Sequence, residues 1–232
     1  MKNSGGTETQ KRRAGESAAA AVEDGDVVGL GTGSTAAAAI RELGRRVDAG
    51  LDVRGIPTSH GARRLARKAR VPLTTLAAST PDVAIDGADQ VADGDLLKGG
   101  GAAHTREKVV DAAADRFVVV VDATKPAPVL DHPVPVEALA DAVPVVERRV
   151  ETLDGEPTLR AAERKDGPVV TDDGNPVLDC DFGVVEEPET LAAALAEIPG
   201  VVGHGLFVDL ADEVHVGTDD GVEVVRPQDS TG

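Results

Sequence analysis

Residues 98–108 read Lys98-Gly99-Gly100-Gly101-Ala102-Ala103-His104-Thr105-Arg106-Glu107-Lys108 and follow closely on Asp86-Gly87-Ala88-Asp89. Three consecutive glycines cost conformational entropy and make sense where backbone must touch something. A lysine leading into them suits an oxyanion. Glu107 lies on the helix that starts just after; a solvated charged face made of Arg106, Glu107 and Lys108 would leave the same pattern. Asp86 and Asp89 bracket a two-residue turn, where two carboxylates can converge on one ligand and crowding can drive their pKa values apart. In so acidic a chain, an aspartate-rich turn of no special role would look alike. Carboxylates, an ammonium and exposed amides are the inventory for moving protons on a small anionic carbonyl compound.

A second glycine-rich stretch, Gly29-Leu30-Gly31-Thr32-Gly33-Ser34-Thr35, runs from an apolar strand into a helix. Its glycines admit an anion, and Thr32, Gly33, Ser34, Thr35 and the first free amides of the helix can donate to a phosphate. A tight turn with Ser34 or Thr35 as N-cap is the plainer account. The spacing matches neither the dinucleotide fingerprint nor the P-loop, so neither NAD nor ATP is indicated. A phosphate cradle beside an acid–base set points to sugar-phosphate chemistry.

Only seven lysines occur. In a chain that otherwise uses arginine, Lys125, just after an apolar strand in Val121-Asp122-Ala123-Thr124-Lys125, and Lys11, early in the first helix, are candidates for places where a compact ammonium is needed, although Lys68, Lys108 and Lys165 are retained with no such role. The five histidines form no ligand pair, which leaves no indicated metal; His104 is expected on the surface. The single cysteine, Cys180, sits between Asp179 and Asp181 in a strand and is read as structural.

The elements that must position these groups alternate. Helices are expected over Glu8–Val22, Ser34–Val47, Ser59–Lys68 and Thr105–Ala114, and strands over Val27–Leu30, Val53–Ile56, Val83–Ile85 and Phe117–Val121. Strands apolar on both faces imply an α/β fold, a mainly parallel, Rossmann-like sheet with helices on both faces. Ligands of such sheets bind beyond the carboxyl ends of the strands, where every motif above falls. After Pro126-Ala127-Pro128 the texture changes. Strand Val134–Glu137, helix Val143–Leu153, strands Val169-Val170 and Val177-Leu178 and helix Pro188–Ile198 make a small α+β, ferredoxin-like domain. Phe207–Asp209 and Glu213–Val216 are expected to return to the main sheet. The domains are then 1–130 with 204–232, and 131–203.

At 232 residues, 41% of them hydrophobic, the chain can bury a substantial core. No apolar run is long enough for a membrane helix, and the polar first residues lack the apolar stretch of a signal peptide; a cytoplasmic protein is expected. The net charge of −17, from 41 acidic and 24 basic residues, disfavours nucleic acid and anionic membranes as partners. Acid-rich, lysine-poor and nearly free of aromatics, the composition resembles that of proteins from salt-accumulating microbes, in which salt screens the self-repulsion.

Taken in order, GLGTGSTA (29–36), DGAD (86–89), KGGGAAHTREK (98–108), VDATK (121–125), TDDGNPVL (171–178) and PGVVGHGLF (199–207) resemble the ribose-5-phosphate isomerases of the A type over nearly the whole chain. The resemblance implies interconversion of ribose 5-phosphate and ribulose 5-phosphate with no cofactor. It implies Glu107 as the base working through a cis-enediolate, and Lys98 with Gly99–Gly101 as the oxyanion partner. Asp86 would assist ring opening and, with Gly87 and Ala88, line the sugar, whose hydroxyls Asp89 would bind. Thr32–Thr35, Lys125 and Lys11 would hold the phosphate. It further implies a homodimer or homotetramer, with the small domain near the site and at subunit contacts. Two departures stand out: Gln90 replaces a frequent glutamate, and the Val91–Leu97 connection is short. A sugar-phosphate deaminase, a CoA transferase and a non-catalytic sugar-phosphate-sensing regulator are the rival readings. The Lys98–Glu107 constellation and the short chain argue against the first two; the regulator would carry a DNA-binding segment, and only 26 residues precede the first strand.

Overall fold

The computed structural model describes residues 6–164 and 166–227. Its first elements are α1 (Glu8–Ala20), β1 (Val27–Leu30), α2 (Ser34–Asp48), β2 (Arg54–Pro57), α3 (His60–Lys68) and β3 (Val83–Asp86). They are followed by β4 (Gln90–Ala92), β5 (Asp95–Leu97), α4 (His104–Asp111), β6 (Arg116–Asp122), β7 (Val134–Ala138), α5 (Val143–Glu151) and β8 (Glu156–Leu159). The chain ends with β9 (Val177–Asp181), α6 (Pro188–Ala196), β10 (Val201–His204), β11 (Leu206–Phe207), β12 (Glu213–Gly217) and β13 (Val222–Val225). Internal contacts divide it into two compact units. One takes in the chain through Ala88, Arg106–Pro126 and everything from Leu210; the other is Asp89–Thr105 with Ala127–Asp209. The division falls inside the DGAD motif and inside α4, and the second unit is wider than the 131–203 segment expected from sequence.

The first unit is built on a six-stranded sheet in the order β13-β12-β6-β3-β1-β2, parallel except for the β12–β13 pair. Alternate strand residues face opposite ways. Val28, Leu30, Val83, Ile85, Val118 and Val120 therefore join Ala14, Ala18, Ile40, Leu43 and Ala66 from α1, α2 and α3 in one buried cluster. On the other face, Val27 and Ile56 pack with Val110 of α4. Helices thus cover both faces, as the doubly apolar strands require.

The second unit carries β7, α5, β8, β9, α6 and β10, whose antiparallel sheet runs β10-β7-β9-β8. This is the ferredoxin-like βαββαβ arrangement. Val134, Val136, Leu178 and Cys180 meet Val146, Val150, Leu195 and Ile198 in its core. Cys180 is fully buried there, and burial, together with the nearby Asp179 and Glu147 charges, pushes its thiol up to about 12.

Several expected elements differ. Residues 206–207 do not return to the main sheet: β11 pairs antiparallel with β5, completing a three-stranded β11-β5-β4 sheet in the second unit. Val169-Val170 forms no strand, and Val170 makes only an isolated bridge to Pro176; Pro168 and Pro176 remove ladder donors on both sides. The short Val91–Leu97 connection is the β4–β5 hairpin, turned by Asp93 and Gly94 at φ 49° and 91°, the paired positive φ of a two-residue hairpin turn.

Candidate functional site in two glycine-rich loops

In the first unit the site begins where β1 and β3 end. Asp86 is fully buried, and its Oδ1 accepts the amides of Thr32 at 2.9 Å and Gly87 at 2.7 Å. Gly31 makes this possible, since a Cβ there would stand 2.1 Å from Asp86 Oδ1. The Thr32 hydroxyl lies 2.9 Å from that of Thr58 and donates to Ser59 Oγ at 2.7 Å. Thr32 therefore spends both donors on holding the turn. Thr58 and Ser59 escaped the sequence reading; their signal is a hydroxyl pair at the carboxyl end of an apolar strand, with Ser59 capping α3 through Ala62 N–H.

The N-cap of α2 is Gly33, at φ 115° and with no side-chain cap, rather than Ser34 or Thr35. The positive φ needs glycine, and the uncapped first turn leaves its amides for an anion. Ser34 is exposed and Thr35 buried. Lys11, ion-paired to Glu8 at 3.3 Å, lines a groove with Ser34, Arg12, Arg41 and Arg45. Lys125 is not part of that lining; it follows Asp122 in a tight turn, Lys125 N–H to Asp122 O at 3.1 Å. Burial raises the Asp122 carboxyl, but hydrogen bonds from Thr124 and Gly6 and the Lys125 charge outweigh it and hold the group below the usual carboxylate range.

Glu107 occupies the first turn of α4 and is only 5% exposed, which overturns a solvated charged face. The neighbouring Lys108 is depressed to about 8 by burial. His104 is also fully buried rather than at the surface; a Cβ on Gly99 would stand 2.8 Å from its Nδ1.

In the second unit Lys98 is 2% exposed, with its ammonium 5.2 Å from the centroid of the Phe207 ring, a cation–π arrangement. Its amide donates to Gly205 O at 2.8 Å. Gly99 sits at φ 108°, and Gly100 N–H donates to Asp89 Oδ2 at 2.7 Å. Asp86 and Asp89 are thus each oriented by a glycine-rich loop, and by a different one. Gly101 is exposed, as Gly100 is, while Gly87 and Ala88 are half-buried. Arg160, which the sequence reading passed over, donates from Nη1 to Gly99 O at 2.8 Å and pairs with Asp179. Gln90 is buried and holds the 131–132 backbone: its Oε1 accepts Asp131 N–H at 2.9 Å and His132 N–H at 3.2 Å, and its Nε2 donates to Asp131 Oδ1 at 2.7 Å. Among the described residues no group of three or more His, Cys, Asp or Glu side chains is arranged to hold a metal ion.

A parallel α/β unit with a glycine-rich turn at an uncapped helix N-terminus, joined to a ferredoxin-like unit with a lysine–triglycine loop, defines the architectural class. The family model for ribose 5-phosphate isomerase A (phosphoriboisomerase A) matches residues 54–221, and the chain belongs to this family. Ribose-5-phosphate isomerase A of Natronomonas pharaonis is 73% identical over 224 residues, covering 97% of this chain and all of the relative. That of Haloarcula marismortui is 64% identical over 95% of this chain and 96% of its own length. These high-identity relatives come mostly from halophilic archaea, in keeping with the acidic composition. Among solved structures, the A-type isomerase of Methanocaldococcus jannaschii superposes with a TM-score of 0.92 at 44% identity, over 95% of this chain and all of that one. A D-ribose-5-phosphate isomerase in complex with phospho-erythronic acid gives 0.93 at 39%, over 95% and 99%.

Proposed function

We propose that the protein is an aldose–ketose isomerase interconverting D-ribose 5-phosphate and D-ribulose 5-phosphate, in the non-oxidative part of pentose phosphate metabolism. The observation that carries this reading is Glu107: a carboxylate kept out of water at the start of α4, in a chain of this family.

The chemistry follows from the residues. Ribose 5-phosphate must first open its furanose ring, and Asp86, fixed by two amides, is assigned the proton transfer that opening needs. In the open aldehyde, Glu107 takes the proton from C2. The electron pair moves onto the C1 carbonyl, giving a cis-enediolate whose negative charge the Lys98 ammonium and the loop amides stabilise. Glu107 returns the proton to C1, the hydroxyl proton passes from O2 to O1, and the C2 ketone is released. Gly100 N–H already serves Asp89, so the oxyanion role falls mainly on Lys98. Asp89 binds sugar hydroxyls. The phosphate is assigned to the amides of the first turn of α2 with Ser34 and Thr35, aided by Lys125 and Lys11, while Thr32 shapes the turn. The mechanism asks for no metal or organic cofactor.

The same reading makes the protein a cytoplasmic enzyme whose partners are a sugar phosphate and further copies of itself, as a homodimer or homotetramer, with the ferredoxin-like unit contributing subunit contacts. Light scattering in molar KCl measures the assembly.

The decisive assay follows ribose 5-phosphate conversion in molar KCl with chelator present, with Glu107→Gln alongside. Wild-type conversion, and a loss of ~10²–10⁴-fold in a variant that unfolds at the same midpoint, is expected for removal of a general base. A folded wild type that binds the sugar phosphate without converting it would overturn the isomerase and favour a sensing role.

A further inference from the structure

Arg160 follows β8 directly, and its side chain is 16% exposed. Two of its donors form a fork on one carboxylate: Nε reaches Asp179 Oδ2 at 2.9 Å, and Nη2 meets Asp179 Oδ1. The backbone around it is fixed as well, with Arg160 N–H on Val177 O at 2.9 Å and Val169 N–H on Arg160 O at 2.7 Å. A cross-strand ion pair needs nothing more. Yet Nη1 carries a third bond, 2.8 Å to the carbonyl of Gly99, which also accepts Ala102 N–H at 3.0 Å. The other end of that same peptide unit is Gly100 N–H, bound to Asp89 Oδ2 at 2.7 Å. One peptide plane is therefore held at its oxygen by Arg160 and holds Asp89 by its nitrogen. Gly99 takes a φ of 108°, and a Cβ on Gly100 would lie 2.8 Å from Asp89 Oδ1, so both glycines are needed for this plane to sit where it does.

We infer that Arg160 is a positioning residue for sugar recognition: anchored by Asp179, it sets the Gly99–Gly100 peptide and, through it, the Asp89 carboxylate that takes the substrate's hydroxyls. The inference rests on the role given to Asp89 above. The planar guanidinium fork explains the residue type. It satisfies a carboxylate with two donors and still aims a third, which a lysine ammonium does not do in a fixed plane. The hydrogen bonds are charge-assisted and partly buried, so their loss is felt at the group they orient.

The test separates the sugar end from the phosphate end of the ligand. Arg160→Met, Arg160→Lys, Asp179→Asn and Asp89→Asn are compared with wild type for kcat and KM, and for binding of phospho-erythronic acid and of inorganic phosphate by calorimetry. Arg160→Met and Asp179→Asn should raise KM and weaken phospho-erythronic acid by about 10- to 100-fold, the effect of losing a hydrogen bond to a charged group. Phosphate binding should stay within about twofold, Arg160→Lys should fail to rescue, and Arg160→Met in the Asp89→Asn background should add little, as for residues acting in one chain. Equal weakening of both probes, full additivity, or rescue by lysine would overturn the inference in favour of a structural pair. Should Arg160→Met not fold, Asp179→Asn carries the test. A wild type that binds both probes but does not isomerise would sink the enzymatic reading alone, because the binding comparison needs no turnover.

Discussion

Thr105 donates its hydroxyl to Glu137 Oε2 at 2.6 Å, a bond within the second unit that holds the start of α4 to a buried carboxylate on β7. Glu137 is 1% exposed. Its Oε1 accepts Thr171 Oγ1 at 2.9 Å and Asn175 Nδ2 at 2.8 Å, so one side chain gathers both the TREK and TDDGN motifs. Gly203 clears the space, since a Cβ there would stand 2.4 Å from Thr105 Oγ1. A charge this deep is tolerable only when its oxygens are hydrogen-bonded.

Removing that acceptor leaves buried donors unsatisfied. Glu137→Ala is expected to lower unfolding free energy by about 3 kcal/mol, and Thr105→Val by about 1 kcal/mol, from the cost of unpaired buried polar groups. Because Thr105 lies two residues before Glu107, Thr105→Val should also reduce kcat more than it raises KM, with Thr105→Ser restoring it. Denaturant unfolding and initial rates at one KCl concentration measure both. A Glu137→Ala protein as stable as wild type would show that the network contributes nothing.

The departure at position 90 has a local explanation. Gln90 offers Asp131 an N–H donor on one side and takes two backbone amides on the other. A glutamate there would keep the acceptor but set a carboxylate against Asp131. Gln90→Glu should therefore cost about 1.5–3 kcal/mol, the range for a lost hydrogen bond to a charged partner. The cost should largely vanish in an Asp131→Asn background and shrink as KCl screens the repulsion. A double-mutant cycle of unfolding free energies decides it, and a coupling of zero would refute the account.

What the sequence revealed, and what it hid, divides along physical lines. The central strands β1, β3 and β6 are buried on both faces and write themselves as apolar runs, so the parallel sheet was legible. Two of the edge strands were not. β8, Glu156–Leu159, is largely exposed and interrupted by Pro157, and β13 is an equally exposed Val-Glu-Val-Val. The Asp93-Gly94 turn was a readable hairpin signal, but three-residue strands on either side gave it no periodic support. At the site, the loops announced themselves through glycines that only a positive φ or a close approach explains, at Gly31, Gly33 and Gly99. Their supports were silent, because Arg160 stands 61 residues from Gly99 and Glu137 32 from Thr105, and no local pattern encodes a pairing at that separation. His104 misled for a related reason: its position beside the loop was visible, its burial was not.

Lys108 supplies a pH signature of its own. Burial lowers its ammonium from 10.5 to about 8, so the folded protein binds this proton less tightly than the unfolded chain. Below about pH 8 both states are protonated and the folded state bears the full penalty of the buried charge. Between about 8 and 10.5 the folded protein is neutral at this position while the unfolded chain is still charged, so unfolding takes up a proton and stability rises with pH. Lys108→Met removes the group. The variant should be more stable than wild type at pH 7, and its advantage should shrink steadily from pH 8 to pH 10 as wild type sheds the charge. Denaturant unfolding of the two proteins across that range, in fixed KCl, reads the difference directly. An advantage that stays constant with pH would mean that Lys108 keeps an ordinary proton affinity in the fold.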